Sequence, residues 1–158
     1  MRKVGYFTDK KMGVLSVCLW DGLFKNDSVK REKILEMLKV FDLDNSLINI
    51  NFFVYGDDTF LKILENITGN KAEIISSRTE PRSKNEYSRM FIKSKGFLLN
   101  KIVETTLNYD ESIGIECVDE SGAISVEISI NDNDGSFIKF NTDKYDVQSI
   151  KREFNTLG

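Results

Sequence analysis

Carboxylates dominate the side chains of this 158-residue sequence that could do chemistry. There are 25 Asp and Glu, two cysteines (Cys18 and Cys117) and no histidine. Histidine is the usual general base near neutral pH and the commonest metal ligand. Its absence rules out serine or cysteine hydrolysis through an imidazole, and any His-ligated metal centre. No GxGxxG, P-loop, GxSxG or CxxC string is present, so the phosphate cradles and nucleophile turns that those strings encode are not expected. A small carboxylate-dependent hydrolase stays open as an alternative. So many acids guarantee close pairs, and spacing along the chain selects none of them. The expectation is no enzyme, no metal and no cofactor.

Two strings concentrate acids. Val54-Tyr55-Gly56-Asp57-Asp58 is similar to the YGDD turn of viral RNA polymerases and the YxDD turn of reverse transcriptases, where aspartates on a strand–turn–strand hairpin hold magnesium. The resemblance covers five residues. The segment that follows, TFLKILENIT, reads as a helix, so Asp57 or Asp58 is expected to start that helix and favour its positive end. Asn131-Asp132-Asn133-Asp134-Gly135 has part of the composition of a calcium loop. With Gly135 in the glycine position, Ile130 would have to be the first ligand, and no glutamate follows at the required spacing. A hairpin turn is the expected structure.

Charge along the chain is uneven. The net charge is -3, yet residues 71–101 carry 8 basic and 3 acidic side chains, and residues 102–147 carry 2 basic and 11 acidic. Many of these acids alternate with apolar residues and should project from an ordered sheet or its turns. Asp110, Glu111, Glu116, Asp119, Glu120, Glu127, Asp132 and Asp134 are therefore the candidate partner-binding residues. A structured surface of one sign steers an oppositely charged protein. The expected function is an acidic protein-binding module. Its most concrete form is a bacterial immunity protein, or a phage-type inhibitor, that neutralises a basic nuclease-like toxin. The likeness is one of surface type and not of motif. The basic stretch, with Arg78, Arg82, Lys84, Arg89, Lys93, Lys95 and Lys101, suggests a nucleic-acid-binding accessory protein as a further alternative. Helical spacing would put Tyr87 and Phe91 on a core face and leave no stacking platform, so nucleic acid is not the expected partner.

The elements that must position these residues read as α+β. Strands are expected over 3–8 and 14–20, a helix capped by Ser28 over about 29–41, and a strand over 47–55. A short helix should then run from Asp57 or Asp58 to Gly69, followed by a short strand over 72–76. After Pro81, Ser83 and Glu86 match a capping box. A helix carrying Tyr87, Met90 and Phe91 is therefore expected there, with a second helical piece after Gly96 to about 106. From residue 112 the period becomes 2 and predicts a three-stranded antiparallel meander over 112–141. Ile124, Val126 and Ile128 should be buried with Phe154 of a C-terminal helix over 146–157. The expectation is one globular domain over 1–158: an antiparallel sheet, from an N-terminal hairpin and that meander, packed with three to five helices. Cys18 and Cys117 read as buried thiols rather than a disulfide. The first apolar run, 14–20, is too short to span a membrane; a soluble, cytoplasmic protein without membrane contact is expected.

Overall fold

The structure, a computed structural model, describes residues 4–20, 23–79, 86–132 and 135–157. Their backbone forms one antiparallel sheet with helices on a single side. The strands are β1 (Gly5–Asp9), β2 (Val14–Trp20), β3 (Leu47–Val54), β4 (Glu73–Thr79), β5 (Glu86–Lys95), β6 (Ile113–Val118), β7 (Ile124–Asp132) and β8 (Gly135–Asn141). The helices are α1 (Asp27–Lys39), α2 (Thr59–Thr68), α3 (Leu99–Asn108) and α4 (Val147–Leu157), with a 3-10 turn at Gly96–Leu98. The spatial order is β1-β2-β8-β7-β6-β3-β5-β4. This is the expected α+β class. The N-terminal hairpin and the meander are joined edge to edge, because β8 pairs with β2 over its whole length.

Strand alternation sorts side chains onto two faces. Leu15, Val17 and Leu19 of β2, Ile48, Ile50 and Phe52 of β3, Ile113, Ile115 and Cys117 of β6, and Ile138 and Phe140 of β8 are buried under the helices. Ile34, Met37, Leu64, Ile102, Val103, Ile150 and Phe154 close over them from the helix side. Phe41 anchors this layer, with ring centroids 5.4 Å from Phe140, 5.1 Å from Tyr145 and 5.9 Å from Phe154. No helix covers the opposite face of the sheet among the described residues.

Local chemistry explains most boundaries. The N-cap of α1 is Asn26, whose Oδ1 accepts from the Val29 N–H at 2.9 Å; the expected cap, Ser28, lies inside the helix. Gly69 ends α2 in the left-handed region at φ 70, which suits a residue without a Cβ. Gly96 has a different reason. Its N–H donates to Ser46 O at 2.7 Å, and a Cβ there would lie 1.8 Å from Leu43 O.

Two expectations need correction. Residues 86–95 are a strand and not a helix, because they pair with β3 on one side and β4 on the other. The Ser83 of the expected capping box lies outside the described residues. Ile124 is also not in the core. A bulge between Cys117 and Val118 makes Val118 the partner of Ile124. The extra residue, Ser125, is buried and donates through its hydroxyl to Cys117 O at 3.3 Å, while Ile124 is 43% exposed. Val126, Ile128 and Phe154 are buried as expected. Cys18 and Cys117 are free and buried. No described helix is long and apolar enough to cross a membrane.

Candidate functional site

The uncovered face of the sheet is where side chains are free to act on another molecule. On β5, Tyr87, Arg89, Phe91, Lys93 and Lys95 all point to it, since Ser88, Met90, Ile92 and Ser94 pair with the core-facing positions of β3. Successive members of this row are two residues apart, or about 6.8 Å along the strand, so the five span roughly 27 Å. Their cross-strand neighbours on β3 are Phe53 beside Arg89, Asn51 beside Phe91, Asn49 beside Lys93 and Leu47 beside Lys95. On β4, Arg78 stands beside Tyr87 and Ser76 beside Arg89.

Aromatic rings gather at one end of this row. Tyr55, just past β3, lies 5.6 Å from Tyr87 between ring centroids, with the rings tilted by 30°. Phe53 is 6.1 Å from each of them. Rings this exposed are unusual for side chains of such apolar area: Tyr55 is 65% and Phe53 48% accessible. Arg78, Arg89, Lys93 and Lys95 are exposed around them; Glu73 stands across from Phe91, and the exposed Asp57 and Asp58 follow Tyr55 by two and three residues. The arrangement offers flat apolar faces interleaved with cations.

The middle of the same face is a depression of about 250 Å³ lined by Asn51, Gly114, Ser129, Glu116, Glu127 and Phe137, with Arg89 and Lys139 also bordering it. Glu116 and Glu127 are direct register partners. Lys139 is the other neighbour of Glu127, and Asn49 the other neighbour of Glu116.

The remaining predicted acids are spread along the β6–β7 ribbon. Asp119 is used by its own turn. Its carboxylate accepts from Ser121 N–H at 2.9 Å, Ser121 Oγ at 2.6 Å, Ala123 N–H at 3.1 Å and Lys144 Nζ at 3.1 Å. These bonds, that from the Ser121 hydroxyl foremost, hold its carboxyl down at about 2. Glu120 is exposed in the same turn. At the opposite end of the ribbon are Asp110, in a left-handed conformation at φ 52, Glu111, and the exposed Asp132. Burial raises the Glu111 carboxyl, with the charges of Asp57 and Asp110 adding to the effect. Asp134 lies outside the described residues. The fold thus brings Glu116 to Glu127, and Asp110 and Glu111 towards Asp57. It does not gather the seven described acids into one patch.

Asp57 accepts from the N–H and the hydroxyl of Thr59, at 2.9 and 2.6 Å. Asp58 occupies the N-cap position of α2 without a side-chain cap bond and pairs with Lys62 at 3.5 Å. The YGDD string therefore starts a helix, as expected, through Asp57. Among the described residues no three His, Cys, Asp or Glu side chains converge to hold a metal ion.

The residues of the basic stretch divide. Arg78, Arg89, Lys93 and Lys95 share the open face, Lys101 is on α3 in the helix layer, and Arg82 and Lys84 lie outside the described residues. Phe53, Asn51 and Gly114 are not among the residues that the sequence points to, and Tyr55 enters there only through the YGDD string. The usable signal was the alternation Tyr87-x-Arg89-x-Phe91-x-Lys93-x-Lys95, which a strand turns to one side. Compared with protein-family models, curated proteins and solved structures, the chain matches none of them, so its reading rests on this geometry.

Proposed function

We propose that this protein binds single-stranded nucleic acid across the open face of β3, β5 and β4. The observation that carries the reading is the solvent-facing row Tyr87, Arg89, Phe91, Lys93 and Lys95 beside the exposed rings of Phe53 and Tyr55. Single strands are held by aromatic faces on which bases stack and by cations that follow the phosphates; stacking contributes about 1–3 kcal/mol per base. A sheet face suits a single strand because its unpaired bases can lie flat on exposed rings. A row of roughly 27 Å corresponds to the lower part of the usual range of site sizes, about four nucleotides upwards. The overall charge of -3 does not oppose this, because the acidic excess falls in residues 102–147 and the basic excess in residues 71–101. The role is binding rather than catalysis.

The test is fluorescence anisotropy of a labelled thymidine octamer. Tyr55→Ala and Phe53→Ala should each weaken binding about five- to tenfold, or more, with the melting temperature nearly unchanged. Wild-type protein that fails to bind the octamer at low salt sinks the reading.

One observation favours the acidic protein-binding reading. Glu116 and Glu127 face each other on the open sheet, and such a pair attracts a cationic side chain of a basic, nuclease-like partner. Under that reading Glu116→Lys with Glu127→Lys abolishes capture of the basic partner, and Arg89→Glu leaves it intact. Under the single-strand reading Arg89→Glu is the damaging change.

A further inference from the structure

The depression in the middle of the open face adjoins the aromatic and basic row, since Arg89 belongs to both. The strand register places Phe137, Ser129, Gly114, Asn51 and Phe91 in one line across β8, β7, β6, β3 and β5. A ring stands at each end, with two short side chains and Gly114 between. The neighbouring line is Lys139, Glu127, Glu116, Asn49 and Lys93. Glu127 has a lysine beside it. Glu116 has only Glu127 and Asn49, and neither glutamate forms an ion pair among the described residues. Like charges directly opposite on adjacent strands are unfavourable. A ligand that brings hydrogen-bond donors to Glu116 relieves that.

We propose that this depression reads guanine in the bound strand, an inference that rests on the single-strand reading above. Of the four bases, only guanine carries two adjacent N–H donors on its pairing edge, at N1 and N2. A single carboxylate accepts both. Adenine and cytosine offer one amino group beside a ring acceptor, and thymine or uracil one N–H between two carbonyls; a second carboxylate oxygen faces repulsion from each. In a single strand this edge is free to be read. Glu116 is the acceptor for N1 and N2. The Asn51 amide and the Ser129 hydroxyl, in the same depression, have the donors that guanine O6 needs. Gly114 keeps the space open: a Cβ built on it meets nothing within 4 Å.

That last fact supplies a clean variant. A strand with open space above it accepts a β-branched side chain, so Gly114→Val fills the depression without unfolding the sheet, and Glu116→Gln removes the charge and one acceptor. Anisotropy is measured with four labelled octamers: all thymidine, and thymidine with one central guanine, inosine or adenine. Inosine lacks the N2 amino group. The guanine octamer should bind about tenfold more tightly than the thymidine octamer, within the range for one bidentate base contact. Inosine should lose most of that gain and adenine should show none. Both variants should abolish the guanine preference and keep thymidine-octamer affinity within about twofold of wild type. Equal affinity for all four octamers, or a guanine preference that survives both substitutions, overturns the inference and leaves the single-strand reading standing. Failure to bind any octamer overturns both.

Discussion

Raising the salt concentration should weaken the proposed strand complex by an amount that its cations fix in advance. Arg78, Arg89, Lys93 and Lys95 are the four positive side chains on the open face of β4 and β5. A protein that neutralises phosphates releases their counterions, and for single strands the slope of log K against log salt is about -0.7 per phosphate. Four contacts give a slope of about -2.8, so affinity should fall about 50-fold from 50 to 200 mM salt. Replacing Arg89 and Lys93 together by alanine halves the contacts. The slope becomes about -1.4 and the same change of salt costs only about sevenfold. Lys101 is the internal control: it is exposed on α3, in the helix layer, and Lys101→Ala should leave the slope alone. Anisotropy titrations of the thymidine octamer at five salt concentrations measure all three slopes. A slope near zero in the wild type, or one that Arg89→Ala with Lys93→Ala leaves unchanged, refutes the assignment of phosphates to this row.

Three further outcomes test the scaffold and its charges. Gly96→Ala should cost about 3 kcal/mol or more, measured as a fall in the urea midpoint, because its Cβ would collide with the Leu43 carbonyl and the backbone has to move. The Asp119 carboxyl sits at about 2 against an ordinary 3.8. Its contribution to stability is complete above the unfolded-state value and is lost as pH falls through about 2. Asp119→Asn should therefore flatten the acid limb of the stability curve, and carboxyl NMR titration should find the group still charged at pH 3. Burial pushes the Cys117 thiol up to about 12, so an aromatic disulfide reagent at pH 8 should leave native Cys117 unlabelled and count both thiols only after unfolding.

Hydrophobic period and turn chemistry made much of the fold legible in the sequence. The meander, the C-terminal helix and the helix after Gly96 follow from spacing alone. Residues 86–95 did not, for a physical reason. Tyr87, Met90 and Phe91 fall at helical intervals, while Ser88 and Ser94 put polar atoms on the buried side of a strand and so hide its alternation. What decides the matter is that two neighbouring strands hydrogen-bond to this segment, which no local window contains. That single misreading also conceals the candidate site, because a helix scatters Tyr87, Arg89, Phe91, Lys93 and Lys95 and a strand aligns them. Ile124 faces away because the bulged Ser125 stands between it and Val126, and two successive residues, Ser125 and Val126, are buried. The pairing of Glu116 with Glu127 was half legible: alternation turns both outward, but only the register makes them neighbours.

The position of β8 between β2 and β7 bears on how the chain is made. During synthesis the hairpin of β1 and β2 emerges before the rest of the sheet and finds one side of β2 unpaired. Its partner begins at Gly135, 115 residues after Trp20. At about 5–20 residues per second, the ribosome needs roughly 6–23 s to deliver it. Throughout that interval Leu15, Val17 and Leu19 lack the strand and the C-terminal helix that later enclose them. An open strand edge next to an apolar face invites pairing with other nascent chains. Chaperone occupancy on polysomes should therefore rise as β2 leaves the exit tunnel and persist while the chain up to β8 is being made.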